Sequence, residues 1–345
     1  MKNSIRRRDF IKSAAAGTVS LGLAGRSLPI INTDNSQSNR VGIIGLDTSH
    51  SVAFTRVLND PSAAPEFGGY KVVAAYPKGS NDIKSSIDRI PGYTEDVKKL
   101  GVKIVNSIEE LLAEVDVVLL ETNDGRLHLQ QALPVMKAGK RMFIDKPIAA
   151  SLADTIAIFR MAEHYKVPVF SSSSLRYIAG VREIAEGSVG EVLGADTYSP
   201  ATIEKTHPDL FWYGVHGVET LFTVMGIGCR SVTRTFTENT DKVVGIWLDN
   251  RIGTFRGIRY GRADYGGTIF GEKGIAMLGK YSGYNPLLLE IVKFFQTGIS
   301  PVSSEETIEI FAFMAAAEES KRQKGVPVFL EKVIRKAQQE AAKKL

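Results

Sequence analysis

The chain is predicted to be an α/β protein in two parts: a parallel sheet covered by helices, then an α+β region built on a largely antiparallel sheet. Short apolar strands alternate with helical segments from residue 40 to about 173, the pattern of parallel strands joined by crossover helices. After about Ser174 the texture changes to longer extended runs interrupted by few helices. A length of 345 residues suffices for two cores.

Residues 1–28 read as an address. Arg6-Arg7-Arg8-Asp9-Phe10-Ile11-Lys12 precedes a small, mildly apolar run from Ser13 to Ala24, too short to span a bilayer. It resembles a twin-arginine signal, with Arg7 and Arg8 as the pair, and implies export to the periplasm with no stable membrane span after processing. Residues 29–39 read as a polar linker. The formal net charge of +5 is accounted for by Lys2, Arg6, Arg7, Arg8, Lys12 and Arg26 against Asp9. The remaining chain is neutral, which argues against nucleic acid and anionic membrane surfaces as partners. Cys229 is the single cysteine and has no internal partner for a disulfide.

The first part, residues 40–173, has strands expected at Val41 to Leu46, Lys71 to Tyr76, Val102 to Val105, Val115 to Glu121, Arg141 to Ile144 and Val167 to Phe170. Apolar residues at helical spacing fill Ser107 to Ala113 and Leu127 to Ala138, and Gly139 fits a helix stop. The second part, residues 174–345, has an extended run at Glu191 to Ser199, a helix near Phe211 to Met225 and several strands from Ser231 to Leu278. Helices follow in Tyr284 to Thr297, Ser304 to Lys324 and Leu330 to Lys343.

Val41-Gly42-Ile43-Ile44-Gly45 followed by a helix is where a Rossmann fold places its pyrophosphate turn, since glycine lets backbone approach phosphate at a helix N-terminus. Gly45 supplies the first glycine. Asp47 and His50 stand at the second and third positions in Gly45-Leu46-Asp47-Thr48-Ser49-His50. Cofactor binding then requires Asp47 turned away, capping the helix, or the Thr48 and Ser49 hydroxyls donating to the phosphates. The second strand ends Tyr76-Pro77-Lys78-Gly79-Ser80 without the usual ribose-binding acid. Lys78 and Ser80 are candidates to hold a 2′-phosphate, which tilts the cofactor expectation between NAD and NADP slightly toward NADP.

Further on come Glu121-Thr122-Asn123, then His128, then Asp145-Lys146-Pro147 closing the fifth strand. In order and spacing these resemble the Gfo/Idh/MocA oxidoreductases, whose fourth strand leads to T-P/N-x-x-x-H and whose fifth ends in E-K-P. The resemblance implies a dinucleotide site that includes Thr122, Asn123, His128, Asp145, Lys146 and Pro147, with Lys146 beside the nicotinamide and the peptide before Pro147 cis. In the second part, Trp212-Tyr213-Gly214-Val215-His216-Gly217-Val218-Glu219 is similar to the family's D-x-G-x-H-x-x-D, with Trp212 and Glu219 in place of the two acids. That leaves Lys146 and His216 as the acid/base pair. Trp212 and Tyr213 suit stacking on a sugar, and His207, Asp209 and Arg176 are further substrate-binding candidates.

The resemblance implies an NAD(P)-dependent oxidoreductase acting on a sugar, polyol or glycoside hydroxyl. Export implies a tightly held, internally recycled cofactor, as in the family's exported members. No metal is expected, and a homo-oligomer (dimer or tetramer) is expected because an antiparallel sheet commonly leaves one face uncovered. Two rival readings share the fold: a cofactor-free carbohydrate-binding protein, and a metal-dependent lyase using His207, Asp209 and His216.

Overall fold

In the computed structural model, which describes residues 39–344, the chain enters directly into β1 (Arg40–Ile44). The twin-arginine segment and the linker up to residue 38 lie outside the described residues. There follow α1 (Ser49–Leu58), β2 (Lys71–Tyr76), α2 (Lys84–Lys99), β3 (Lys103–Ile104), α3 (Ile108–Glu114), β4 (Val117–Leu120), α4 (His128–Lys137), β5 (Met142–Ile144), α5 (Leu152–Tyr165) and β6 (Val169–Phe170). The six strands form one parallel sheet in the order β3-β2-β1-β4-β5-β6. All four residues of β4 are buried, as a strand covered on both faces requires. Ser107 and Ser151 cap α3 and α5 by accepting from the backbone N–H three residues on. α2 carries Pro91-Gly92 inside it, which hides it from a reading by periodicity.

The second part contains α6 (Val181–Ala185), β7 (Val192–Pro200), α7 (Val215–Met225), β8 (Cys229–Phe236), β9 (Thr240–Trp247), β10 (Ile252–Ile258), β11 (Gly266–Gly271), β12 (Gly274–Met277), α8 (Asn285–Thr297), α9 (Ser304–Arg322), β13 (Val328–Phe329) and α10 (Leu330–Ala341). Its seven-stranded sheet runs β12-β11-β7-β10-β9-β8-β13. Among the described strands of this second sheet only β7 and β10 pair in parallel; the other neighbours are antiparallel. The two-sheet α/β architecture expected from the sequence is therefore present.

α7 is apolar nearly all round and buried on the sheet, as a helix packed on several sides must be. Its approach depends on Gly217, where a Cβ would stand 2.3 Å from the Phe255 ring. α8 returns to the first sheet, burying Leu287, Leu288, Ile291 and Phe294 in one cluster with Val41, Ile43, Phe143 and Phe170. The carboxyl ends of β1, β4 and β5 thus face the start of α7 across a cleft, at the point where strand order reverses.

Candidate active site

Lys146 and His216 line one cavity of about 500 Å³ in this cleft, together with Thr48, Ser49, His50, Asn123, Trp212 and Tyr213. Lys146 is the second residue after β5, and the Lys146-Pro147 peptide is cis. His216 sits in the first turn of α7, which is entered through a π-type turn at Leu210–Gly214. That widened turn carries Trp212 and Tyr213 to the cavity wall. His216 is 5% exposed, and its Nδ1 shares a 2.6 Å hydrogen bond with Ser173 Oγ. Ser173 Oγ also accepts from the Leu175 N–H, and Ser173 itself is held through its N–H by Glu219. Burial, then the nearby Lys146 and His50, hold the imidazole well below the ordinary histidine range, so it is neutral at pH 7.

The floor of the cavity is a buried polar cluster. His50 Nδ1 lies 3.0 Å from Asp145 Oδ1 and 3.7 Å from Glu121 Oε2; Lys146 Nζ is 3.8 Å from Asp145 Oδ2. Burial and then Asp145 push the Glu121 carboxyl well up. For Asp145 burial acts in the same direction, but His50 and Lys146 outweigh it and hold this carboxyl well below the usual range.

The glycine turn is built differently from expectation. Thr48, not Asp47, caps α1, its Oγ1 accepting from the His50 N–H at 3.2 Å. Ser49 Oγ lies 3.2 Å from the Tyr284 hydroxyl. Asp47 is fully buried, and its carboxylate accepts from the Asn123 N–H at 2.9 Å and the Ser80 N–H at 3.3 Å. It thereby ties the loop after β2 to the loop after β4 across the end of β1. Ser80 Oγ donates to Asp124 at 2.9 Å, and Arg126 joins Asp124 to Asp82, so the two loops are stitched twice more. Ser80 is therefore not free to hold a phosphate, contrary to expectation. Gly45, with φ +90, is required because a Cβ would stand 2.5 Å from the Thr122 backbone; its freedom serves that contact.

On the far side of this stitch, Tyr76 and the exposed Lys78 line a second cavity of about 320 Å³ with Gln130, Gln131 and Pro134. It lies beyond the carboxyl end of β2, where a Rossmann domain takes adenosine. The two cavities suit the two ends of a dinucleotide, and the Asp47 carboxylate joins their linings by accepting from Asn123 of the first and from Ser80, next to Gly79 of the second.

Several expected site residues are elsewhere. His128 is fully buried, Nε2 lying 2.6 Å from the Thr122 carbonyl and Nδ1 3.1 Å from that of Ile148, so it pins two loops together. Arg176 is buried between Glu219 (2.9 Å) and Glu306 (2.7 Å) and does not line the cavity. Asp209 is taken by Arg234 and Lys321, each a stronger pull than a cap. His207 packs behind Trp212, ring centroids 4.9 Å apart, with Nε2 3.5 Å from Asp124 Oδ1. His207, Asp209 and His216 therefore do not converge, and a metal trio made of them is excluded.

Other cavity residues carry no signal in the sequence. Tyr265, Tyr281 and Tyr284 come from the loop before β11 and the loop after β12, and build an aromatic wall opposite Lys146. Burial, then Tyr213, raises the Tyr265 hydroxyl well above its ordinary value, so it stays a neutral hydrogen-bonding group. Glu121 had one visible signal, a charge closing the apolar run Val117–Leu120.

Residues 39–173 match the profile of the Gfo/Idh/MocA family, described as an oxidoreductase family with an NAD-binding Rossmann fold. A 1,5-anhydro-D-fructose reductase from Ensifer adhaerens is 33% identical over 102 residues, 28% of this chain and 30% of that protein. The chain spans less than a third of the length of the curated relatives it matches. Among solved structures, the scyllo-inositol dehydrogenase from Lactobacillus casei with bound NAD(H) and scyllo-inositol superposes with a TM-score of 0.66 at 14% identity, covering 85% of this chain and 99% of that one. The myo-inositol 2-dehydrogenase from Lactobacillus plantarum gives a TM-score of 0.67 at 15% identity, covering 85% and 99%. Likeness at this identity establishes the fold.

Proposed function

We propose that this chain, whose residues 39–173 match the profile of the Gfo/Idh/MocA oxidoreductase family, oxidises or reduces one carbon of a sugar, polyol or glycoside. The observation that carries the reading is the convergence of Lys146 and His216 on one cavity walled by Trp212 and five tyrosines. Aromatic faces and hydroxyls suit a polyhydroxylated ring. The neighbouring inositol dehydrogenases and the sugar reductase support the same substrate class.

His216 is the base. It is neutral at pH 7 and acts through Nε2, which requires its Nδ1–H to donate to Ser173 Oγ. The Lys146 ammonium polarises the reacting oxygen and stabilises negative charge as the hydroxyl proton leaves. NAD(P), when bound, supplies the hydride acceptor or donor. Tyr76 and Lys78 would hold its adenosine end, and Thr48, Ser49 and Asn123 its nicotinamide side. Internal recycling of the cofactor and export through Arg7-Arg8 belong to the same proposal. Replacing both arginines with lysine should retain the protein in the cytoplasm.

One observation favours a second reading, a cofactor-free carbohydrate-binding protein: the Asp47 carboxylate stands at the second glycine position of the turn and ties Asn123 to Ser80. Protein purified under native conditions, denatured and analysed by mass spectrometry, separates the two. A dinucleotide at near one per chain supports the oxidoreductase. Its absence, with no binding of added NAD(H) or NADP(H), overturns it in favour of the second reading.

A further inference from the structure

We propose that His50, Glu121 and Asp145 form a binding site for one divalent transition-metal ion on the floor of the cavity. The three side chains come from different elements that meet at the strand-order reversal: the first turn of α1, the residue after β4 and the residue after β5. None of the three faces bulk water; their exposures are 5%, 0% and 0%. Both oxygens of Glu121 and Oδ2 of Asp145 lack a hydrogen-bond partner. Burying carboxylate oxygens unsatisfied is costly. The nearest ammonium, Lys146 Nζ, stands 3.8 Å from one of these oxygens and cannot serve all three.

The spacing fits a coordination shell. One donor atom from each residue lies within 4.8 Å of the others, and the two closest separations to His50 Nδ1 are 3.0 and 3.7 Å. Donors about 2.0–2.2 Å from a shared ion, at angles near 90–110°, stand roughly 3.0–3.5 Å apart. One imidazole nitrogen and two carboxylates suit Zn²⁺, Co²⁺ or Mn²⁺ and disfavour Ca²⁺ and Mg²⁺, which take oxygen ligands. His50 and Lys146 both line the cavity, so a fourth coordination position would open toward the substrate, where an ion acts as a Lewis acid on a hydroxyl or carbonyl oxygen. The sequence explains why this site arises here. His50 stands at the third glycine position of the turn, and its ring fills the space between α1 and the end of β4 that a glycine leaves open. The inference holds whether or not a dinucleotide binds.

Untagged full-length protein, treated with chelator and titrated with Co²⁺, tests it through visible ligand-field absorbance and calorimetry. The expected result is one Co²⁺ per chain. Glu121→Gln, which keeps shape and removes charge, and His50→Ala should weaken binding by more than the roughly 10–100-fold that loss of an outer-shell partner costs, with far-UV circular dichroism unchanged. In the wild type, Mn²⁺ should broaden the ring resonances of His50 more strongly than those of His164, which makes the result independent of the variants. Absence of saturable binding by the wild type, or equal binding by folded variants, or equal broadening of both histidines, would overturn the site and leave Glu121 as a metal-free carboxyl.

Discussion

Replacing Asp47 with glycine separates what this residue holds shut from what it holds together. Its carboxylate accepts from two backbone N–H groups, Asn123 at 2.9 Å and Ser80 at 3.3 Å, in a fully buried position. Each N–H left without a partner costs about 1–3 kcal/mol, and the Ser80 bond is the longer and weaker. Asp47→Gly should therefore lower stability in urea by about 2–4 kcal/mol. Burial holds the Asp47 carboxyl above its ordinary value despite these bonds, so no compensating gain from the charge itself is lost. If Asp47 gates the path between the two cavities, a dinucleotide entering the wild type has to break the same two bonds, and in the variant they are already gone. At about 1.4 kcal/mol per tenfold, dinucleotide affinity should rise by between one and three orders of magnitude, read by titration of reduced-nicotinamide fluorescence. Asp47→Asn keeps an acceptor and should change affinity little. If folded Asp47→Gly binds dinucleotide no more tightly than the wild type, Asp47 does not gate the path.

Four further outcomes follow from the geometry. His216→Asn should lose about 10²–10⁴-fold in rate; because burial, Lys146 and His50 depress the imidazole below 6.5, the acid limb of the pH profile should lie below pH 6.5, and Lys146→Met should move the ring's titration, followed by NMR, upward. Gly45→Ala forces a Cβ to 2.5 Å from the Thr122 backbone at φ +90, so strain of about 1–2 kcal/mol and overpacking of about 1–3 kcal/mol should both appear in urea denaturation. Arg234 is buried against Asp209, Asp241 and Glu318 at 2.7–2.8 Å; Arg234→Met takes one cationic partner from each, although Asp209 keeps Lys321 and Asp241 keeps Arg259, and should cost about 3–5 kcal/mol in urea denaturation. The outer face of the second sheet leaves Leu193, Tyr198, Ile252 and Phe270 exposed at 38–53%, or 36% for Tyr198, so light scattering should find an oligomer that Leu193→Lys with Ile252→Lys dissociates; a wild-type monomer would refute this.

The local signals were strong where one physical requirement dominates. Continuous apolar runs between turn residues marked β1, β2, β4 and β5, because a strand covered on both faces tolerates little else. Lys146 was legible as a site residue because it closes a parallel strand and matches the family's E-K-P, and His216 through the likeness of Trp212 to Glu219 to the family's D-x-G-x-H-x-x-D. The π-type turn that brings Trp212 and Tyr213 beside it was not, since a helix with one extra residue per turn keeps the same apolar composition.

What a side chain does when it has several possible partners was decided only by the tertiary structure. Arg176, Asp209 and His128 are polar residues in suggestive places, and all three proved to be structural anchors once Glu219, Arg234 and the Thr122 and Ile148 carbonyls came within reach. Asp47 was visible as a departure from a glycine, but its partners, Ser80 and Asn123, are 33 and 76 residues away. The same holds for His50, Glu121 and Asp145, which stand in three separate sequence motifs and become a cluster only where the start of α1 meets the ends of β4 and β5. Sequence by itself determined which segments bury apolar surface, a property each segment carries in its own composition. Pairings among polar groups depend on a few ångströms between distant segments, and folding of the whole chain alone sets those distances.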